Sequence, residues 1–272
     1  MFGEKLENIR KASPLIHNIT NYVTANDCAN ILLACGASPT MADDASEVEE
    51  ITTISNALNI NIGTLNAMVT GMFLAGKKAN ELGRPVVLDP VGAGASRLRT
   101  DTACKLIDEI HFTVIRGNIS EIKTLASGSG TTKGVDADAA DIVTENTIDQ
   151  TIAFVKAFAA KTGAVIAVTG AIDLVADAGR AFVIRNGRPM MGRVTGTGCM
   201  LSAMTAAYLA ANPGAALEAA AAAVCAMGVC GEIALERLQE GEGNATYRNR
   251  LIDAIYHLNA QTLEGRARYE IR

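Results

Sequence analysis

Several short β-type runs in this chain are apolar without a break, and strands of that kind must be covered on both faces. The strand-like runs are Asn59-Ile-Asn-Ile62, Val86-Val-Leu88, Phe112-Thr-Val-Ile115, Ala164-Val-Ile-Ala-Val168 and Ala181-Phe-Val-Ile184, of which the second, fourth and fifth are unbroken. A half-solvated antiparallel strand alternates apolar and polar residues, whereas a parallel sheet between two helical layers does not need to. Helical patterns lie between the runs. One covers residues 68–82 and stops at Gly83, and another covers 151–161 and closes at Gly163. Ser46-Glu-Val-Glu49 offers a capping box for a helix through Ile54. After Thr197 the pattern is almost wholly helical. Strand–helix alternation of this type predicts a doubly wound α/β fold, a mostly parallel central sheet with helices on both faces. No repeat or long linker divides the 272 residues, so residues 1–272 read as one domain.

Composition excludes several classes of function. With 49% hydrophobic and 19% charged residues, the chain has ample core and is not a disordered segment. A net charge of −5 and the lack of any basic run argue against nucleic acid as partner. Aromatics at 4% with no Trp leave no stacking platform for single strands. The start, Met1-Phe-Gly-Glu-Lys-Leu-Glu-Asn-Ile-Arg10, has no apolar h-region of a signal peptide. The Ala-rich stretch from Ala219 to Gly231, between Glu218 and Glu232, is shorter than the ~20 residues of a membrane span and predicts a buried helix. The six cysteines, Cys28, Cys35, Cys104, Cys199, Cys225 and Cys230, form no Cys-x-x-Cys pair. They read as reduced thiols of a cytoplasmic protein, most of them buried.

Ligands of open parallel sheets bind outside the carboxyl ends of the strands. The segments expected there are Gly63-Thr-Leu-Asn66, Asp89-Pro-Val-Gly-Ala-Gly94, Arg116-Gly-Asn-Ile-Ser-Glu121 and Thr169-Gly170. Two nucleotide motifs nearly match and are discarded. Gly71-Met-Phe-Leu-Ala-Gly76-Lys77-Lys78 ends in Lys where a P-loop has Ser or Thr, and it falls inside a helical pattern. Gly92-Ala-Gly94 lacks the third glycine of a dinucleotide fingerprint, because Arg97 stands there. The stronger signal is Val194-Thr-Gly196-Thr-Gly198-Cys199, leading straight into a helix. Such a start is either an anion site made of backbone N–H groups and the positive helix end, or a plain glycine-rich helix start. In the first case Cys199 stands in the first turn, where the dipole lowers a thiol pKa. Asp89 and Glu121, at two strand ends opposite that site, suit Mg²⁺ held partly through water, although a lone Glu121 is more often a helix cap. Arg116 beside a phosphate is a clamp. His17 and His111 read as structural or hydrogen-bonding residues and His257 as a surface residue.

With these residues in view, the whole chain resembles the hydroxyethylthiazole kinases, thiamine-salvage enzymes of the ribokinase-like superfamily. The segments that carry the resemblance, in order, are Pro14-Leu-Ile-His-Asn-Ile-Thr-Asn-Tyr-Val23, Ala37-Ser-Pro-Thr-Met-Ala42, Asn61-Ile-Gly-Thr-Leu65, Val87-Leu-Asp-Pro-Val-Gly-Ala-Gly94, Ile115-Arg-Gly-Asn118, Val168-Thr-Gly170 and Thr195-Gly-Thr-Gly-Cys199, with Gly134-Val-Asp136 in addition. The resemblance implies ATP-dependent phosphorylation of the primary alcohol of 4-methyl-5-(2-hydroxyethyl)thiazole, with Mg²⁺. It implies that Met41, Gly196 and Asn21 bind the thiazole, that Arg116 and Thr169 bind ATP, and that Asp89 and Glu121 attend the metal. By the same resemblance Thr197, Gly198 and Cys199 are catalytic, Cys199 standing where most ribokinase-like relatives place an Asp base. A homotrimer with active sites between subunits is implied as well. Two other readings stay open: another enzyme on the same fold, such as a kinase for a different vitamin alcohol or an ATP-dependent dehydratase of hydrated nicotinamide nucleotides, and a catalytically idle binding protein. The idle protein predicts loss of Asp89, Glu121 or the Gly-Thr-Gly turn, and all three are present.

Overall fold

A computed structural model describes residues 1–128 and 142–272; Gly134-Val-Asp136 lies outside the described residues. Nine strands form one sheet: β1 (Leu15–Ile19), β2 (Ser38–Met41), β3 (Ala57–Asn61), β4 (Val86–Asp89), β5 (Val114–Gly117), β6 (Val165–Val168), β7 (Asp173–Ala176), β8 (Ala181–Ile184) and β9 (Tyr269–Ile271). Their spatial order is β2-β1-β3-β4-β5-β6-β7-β8-β9. The pairings from β2 through β6 are parallel, and those from β6 through β9 are antiparallel. Connection length explains the change of direction. Only residues 169–172 join β6 to β7 and only 177–180 join β7 to β8, and links that short can only turn back.

Burial agrees with the unbroken apolar runs, since β3, β4, β6, β7 and β8 have no residue above intermediate exposure and are buried throughout. Successive residues point to opposite faces. Val87 therefore faces the layer of helices α1 (Phe2–Ala12), α2 (Ala25–Cys35), α8 (Thr197–Ala211), α9 (Ala216–Glu236), α10 (Asn244–His257) and α11 (Ala260–Arg266), while Val86 and Leu88 face the other layer. That layer holds α3 (Val48–Ile54), α4 (Met68–Glu81), α5 (Arg97–Glu109), α6 (Ile119–Ser127) and α7 (Ile148–Thr162). Each fully buried Val, Leu or Ile contributes about 1.5–3 kcal/mol, so neither layer can be stripped without loss of the fold. The Ala-rich stretch lies in α9, which is long and apolar enough to cross a membrane by length and composition but packs as the core helix of its layer.

Several local expectations are met. The P-loop look-alike lies within α4, and α7 ends on Gly163 in the left-handed region at φ 71°. His17 is fully buried, bonded through Nδ1 to Thr52 Oγ1 at 2.9 Å and through Nε2 to the Ala42 carbonyl at 2.8 Å. The Ser46 capping box is a correction. Helix α3 starts at Val48 with no side-chain cap, because Ser46 Oγ donates to Asp44 Oδ1 at 2.6 Å and is turned away from the helix.

Candidate active site

The chain runs from β1 to β2 on one side of the sheet and returns to β3 on the other, so the strand order diverges at β1 and β3. A crevice opens at such a point. A cavity of about 910 Å³ lies there, along the carboxyl ends of β1, β3, β4, β5 and β6. Of the residues expected at the site, Asn21, Asp89, Arg116, Glu121, Thr169, Gly196, Thr197, Gly198 and Cys199 all line it. Met41 does not. It ends the edge strand β2, paired with Asn18, with 39% of its surface exposed.

Helix α8 forms one wall. Gly196 precedes it at φ 87°, in the left-handed region that glycine tolerates, and a Cβ there would come 2.6 Å from Thr24 Cγ2. The helix has no side-chain cap, so the first N–H groups, which have no partner within a helix, face the cavity beside the positive dipole end. Arg116 lies against this turn. Its guanidinium reaches Asp89 Oδ2 at 3.4 Å and donates from Nη2 to Thr169 Oγ1 at 2.6 Å, while its buried Nε has no hydrogen-bond partner. A half-buried cation lining the cavity next to uncapped N–H groups suits an anion.

The carboxylates stand opposite. Asp89 is fully buried, and its Oδ2 accepts from Asn61 Nδ2 at 2.9 Å and Ser202 Oγ at 2.8 Å. Burial pushes its carboxyl up, against the opposing pull of Arg116. Glu121 is a helix cap, the commoner of the two roles considered for it. It is the third residue of α6 and completes a capping box with Asn118, its Oε2 accepting from Asn118 N at 2.8 Å. Its Oε1 accepts from Gly92 N at 2.8 Å, and it also lines the cavity. Burial and then the neighbouring Asp89 raise its pKa to about 7. Two carboxyl groups that both resist ionisation side by side, with one Arg between them and the helix, form a donor set that a divalent cation would relieve. Among the described residues no cluster of three or more His, Cys, Asp or Glu that could hold a metal ion is present.

Cys199 reverses an expectation. It stands in the first turn of α8, yet burial and the nearby Asp89 raise its thiol pKa, outweighing the hydrogen bonds from Thr24 and Asn21 and the charge of Arg116. Helix position alone does not make this thiol acidic. All six cysteines are free and five are buried, Cys104 being partly exposed.

Asp173, at the start of β7, was not singled out by sequence. It lines the cavity and accepts from Gly170 N at 2.8 Å, and burial raises its pKa to about 7. The legible signal was an Asp opening an apolar run, Asp173-Leu-Val-Ala176. An unfolded Asp titrates near 3.9, so between that pH and about 7 the folded state binds more protons and stability falls as pH rises. The shift corresponds to a loss on the order of 4 kcal/mol across the window. Asp173→Asn keeps an acceptor for Gly170 and does not titrate. The unfolding midpoint of the variant is therefore expected to fall less between pH 4.5 and 8 than that of the unaltered protein. Parallel pH curves for the two proteins would contradict this.

The likeness to known proteins agrees with the site. The hydroxyethylthiazole kinase family profile matches residues 6–261. The hydroxyethylthiazole kinase of Clostridium acetobutylicum is 63% identical over 271 residues, covering 99% of this chain and 99% of that one. The structure of a hydroxyethylthiazole kinase protein from Pyrococcus horikoshii OT3 superposes with a TM-score of 0.88 at 36% identity, covering 100% of this chain and 98% of that one. A ribokinase-like superfamily protein from Enterococcus faecalis, at 15% identity, shares the fold with a TM-score of 0.59 over 92% of this chain and 88% of its own. With the family profile matching residues 6–261 and a 63% identical relative along the full length, this chain belongs to the hydroxyethylthiazole kinase family.

Proposed function

We propose that the chain transfers the terminal phosphoryl group of ATP to the primary hydroxyl of 4-methyl-5-(2-hydroxyethyl)thiazole, giving the thiazole phosphate and ADP in thiamine biosynthesis or salvage. The observation that carries this reading is Arg116, a half-buried guanidinium lining the cavity, set between Asp89 and Thr169 over the uncapped start of α8. Phosphoryl transfer depends on positioning and charge stabilisation more than on covalent chemistry, and these groups supply both.

Each role follows from the chemistry of the group. Arg116 and Thr169 hold the ATP phosphates, and the N–H groups of Thr197, Gly198 and Cys199 receive the transferring phosphoryl group. The wall formed by Leu201, Val224 and Met227 gives the nucleotide base an apolar surface. Gly196 and Asn21 border the thiazole. Asp89 and Glu121 would hold Mg²⁺ partly through its water, and the bound ion would neutralise phosphate charge. Cys199, a thiol rather than a thiolate, gives the alcohol a hydrogen-bond partner. A loose transition state needs little early deprotonation of the nucleophile, so a weak base suffices.

We further propose a single kinase domain that works as a homotrimer in the cytoplasm. Support for one domain is the continuous sheet from β1 to β9. Support for active sites between subunits is an apolar surface beside the cavity mouth, with Tyr22 75% and Leu98 63% exposed, and the position of Met41 on an open sheet edge, where it can serve a neighbour's site. Free thiols throughout agree with a reducing compartment.

One experiment tests substrate, metal and assembly together. ADP release is measured with Mg-ATP, with and without hydroxyethylthiazole and with pyridoxine for comparison, on protein fractionated by mass. Thiazole-dependent ADP release, abolished by EDTA, is expected in the fraction of three-chain mass. Activity confined to the single-chain fraction removes the trimer, insensitivity to EDTA removes the metal, and release that ignores the thiazole removes the substrate.

A further inference from the structure

The stretch Asn61-Ile-Gly-Thr-Leu65 marks the end of β3, and its first residue is, like Asn59, a fully buried amide in a strand otherwise made of Ala57, Leu58 and Ile60. A buried amide is costly unless its hydrogen bonds are made. Asn61 makes three. Its Oδ1 accepts from Gly63 N at 2.9 Å and from Asn21 Nδ2 at 3.0 Å, and its Nδ2 donates to Asp89 Oδ2 at 2.9 Å. The two ends of a carboxamide have nearly the same shape, so only the partners decide which way it faces. Here the decision is made by the backbone. Gly63 N–H can only donate, which obliges the Asn61 oxygen to face it and leaves the NH₂ group facing Asp89.

Asn21 repeats the logic one strand away. Its Oδ1 accepts from Thr24 N at 3.1 Å, a second backbone donor, so its NH₂ group points to Asn61 Oδ1 and to Cys199 Sγ at 3.3 Å. Two backbone N–H groups thus direct every hydrogen along a chain from Cys199 through Asn21 and Asn61 to Asp89, crossing α8, β1, β3 and β4. Both ends of that chain, the thiol and the carboxylate, line the cavity, whereas Asn61 does not.

We propose that Asn61 is a positioning residue for phosphoryl transfer: by facing its amide NH₂ to Asp89 and its oxygen to Asn21, it holds the Asp89 carboxylate and the Cys199 sulfur in one fixed relation across the cavity. Arg116 also reaches Asp89, and Ser202 joins Asp89 to the backbone of α8; Asn61 is the link that runs through the amide of Asn21 to the sulfur itself. The inference rests on the kinase reading above and adds to it a residue that touches no substrate.

The test is Asn61→Asp, which keeps the shape and the acceptor for Gly63 and Asn21 but presents an oxygen to Asp89. Steady-state ADP release is expected to show kcat at least 30-fold lower with the KM for ATP within threefold, because Arg116 and Thr169 are untouched. Asn21→Ala, which cuts the chain on the thiol side, is expected to lower kcat about tenfold, and the double variant to be no slower than Asn61→Asp alone. Residues acting through one chain are non-additive, whereas two independent structural defects multiply. If Asn61→Asp does not accumulate as folded protein, Asn61→Ser carries the test without an added charge, with a kcat loss of at least tenfold expected. A kcat within threefold of the unaltered enzyme, a loss confined to the KM for ATP, or multiplicative effects in the double variant would overturn the proposal. Absence of thiazole-dependent ADP from the unaltered enzyme would overturn the kinase reading, and this inference with it.

Discussion

Gly198→Val is expected to fold and to lose turnover at least ~10³-fold, the scale of a lost phosphate-clamping Arg. A Cβ at position 198 would stand 2.6 Å from Arg116 Nη1, 2.8 Å from Nη2 and 3.0 Å from Cζ. Those atoms are the far end of a flexible side chain, so the clash is relieved cheaply when Arg116 swings aside. The fold is spared and the clamp is lost. Gly198 also sits in a helix at an ordinary negative φ, where replacing Gly by Ala typically gains up to about 1 kcal/mol. Gly198→Ala should therefore match or exceed the unaltered protein in melting temperature while losing most of its activity. Cys199→Ala provides the contrast: with the thiol protonated, it is expected to lose only about tenfold, less than the ~10²–10⁴-fold a full general base supplies, and to keep nucleotide binding. Turnover of Gly198→Val equal to or above that of Cys199→Ala would contradict the placement of Arg116.

The second large effect is expected at Arg116 itself. Arg116→Ala removes the cation paired with buried Asp89 and the donor to Thr169, and kcat/KM for ATP should fall about 10³-fold. Arg116→Lys is expected to recover little of that loss. A single ammonium cannot hold Asp89 and Thr169 at once and still offer a further N–H to phosphate, as the planar guanidinium does. Melting temperature separates the two contributions. A loss of activity with only a few degrees of destabilisation identifies the phosphate clamp, whereas global unfolding at working temperature identifies the ion pair as structural. A kcat/KM within tenfold in Arg116→Ala would remove the clamp.

Legibility in the sequence followed the physics of burial. The interior strands β3, β4, β5, β6 and β8 were visible because apolar runs covered on both faces have no alternation to hide them, though β5 lies about two residues further along than Phe112-Thr-Val-Ile115 suggests. Strands β1, β2, β7 and β9 were not visible, each for its own reason. Strand β2 carries Pro39, tolerable because it pairs on one side only, and β9 is three residues long at the opposite edge. Strand β1 carries His17 and Asn18, and β7 opens with Asp173, polar residues that look like loop until their buried partners are known.

The site showed the same division. Glycines, strand-end carboxylates and Arg116 announced themselves by position. The sign of the Cys199 shift did not, because it is set by burial and by Asp89, 110 residues away in the chain. Asn61 and Ser202 were hidden likewise, being polar residues whose purpose lies in a through-space partner. The exposed Met41 could not be placed at a site by one chain alone.

The edge strand β9 has a consequence for the order in which the molecule is made. Residues 186 and 187, on the cavity rim, are held from behind: Asn186 Oδ1 accepts from Arg268 N at 2.7 Å, its Nδ2 donates to the Arg266 carbonyl at 3.0 Å, and Gly187 N donates to Glu232 Oε1 at 3.0 Å. Synthesis proceeds from the N-terminus, so the parallel strands with Asp89, Arg116 and Thr169 emerge roughly a hundred residues before the segment that braces the rim. A nascent chain that stops short of Arg266 already carries the strand-end residues of the cavity, but its rim at Asn186 and Gly187 is not yet braced from behind. Residues 266–268 act as a latch that fixes that rim against a sheet formed earlier.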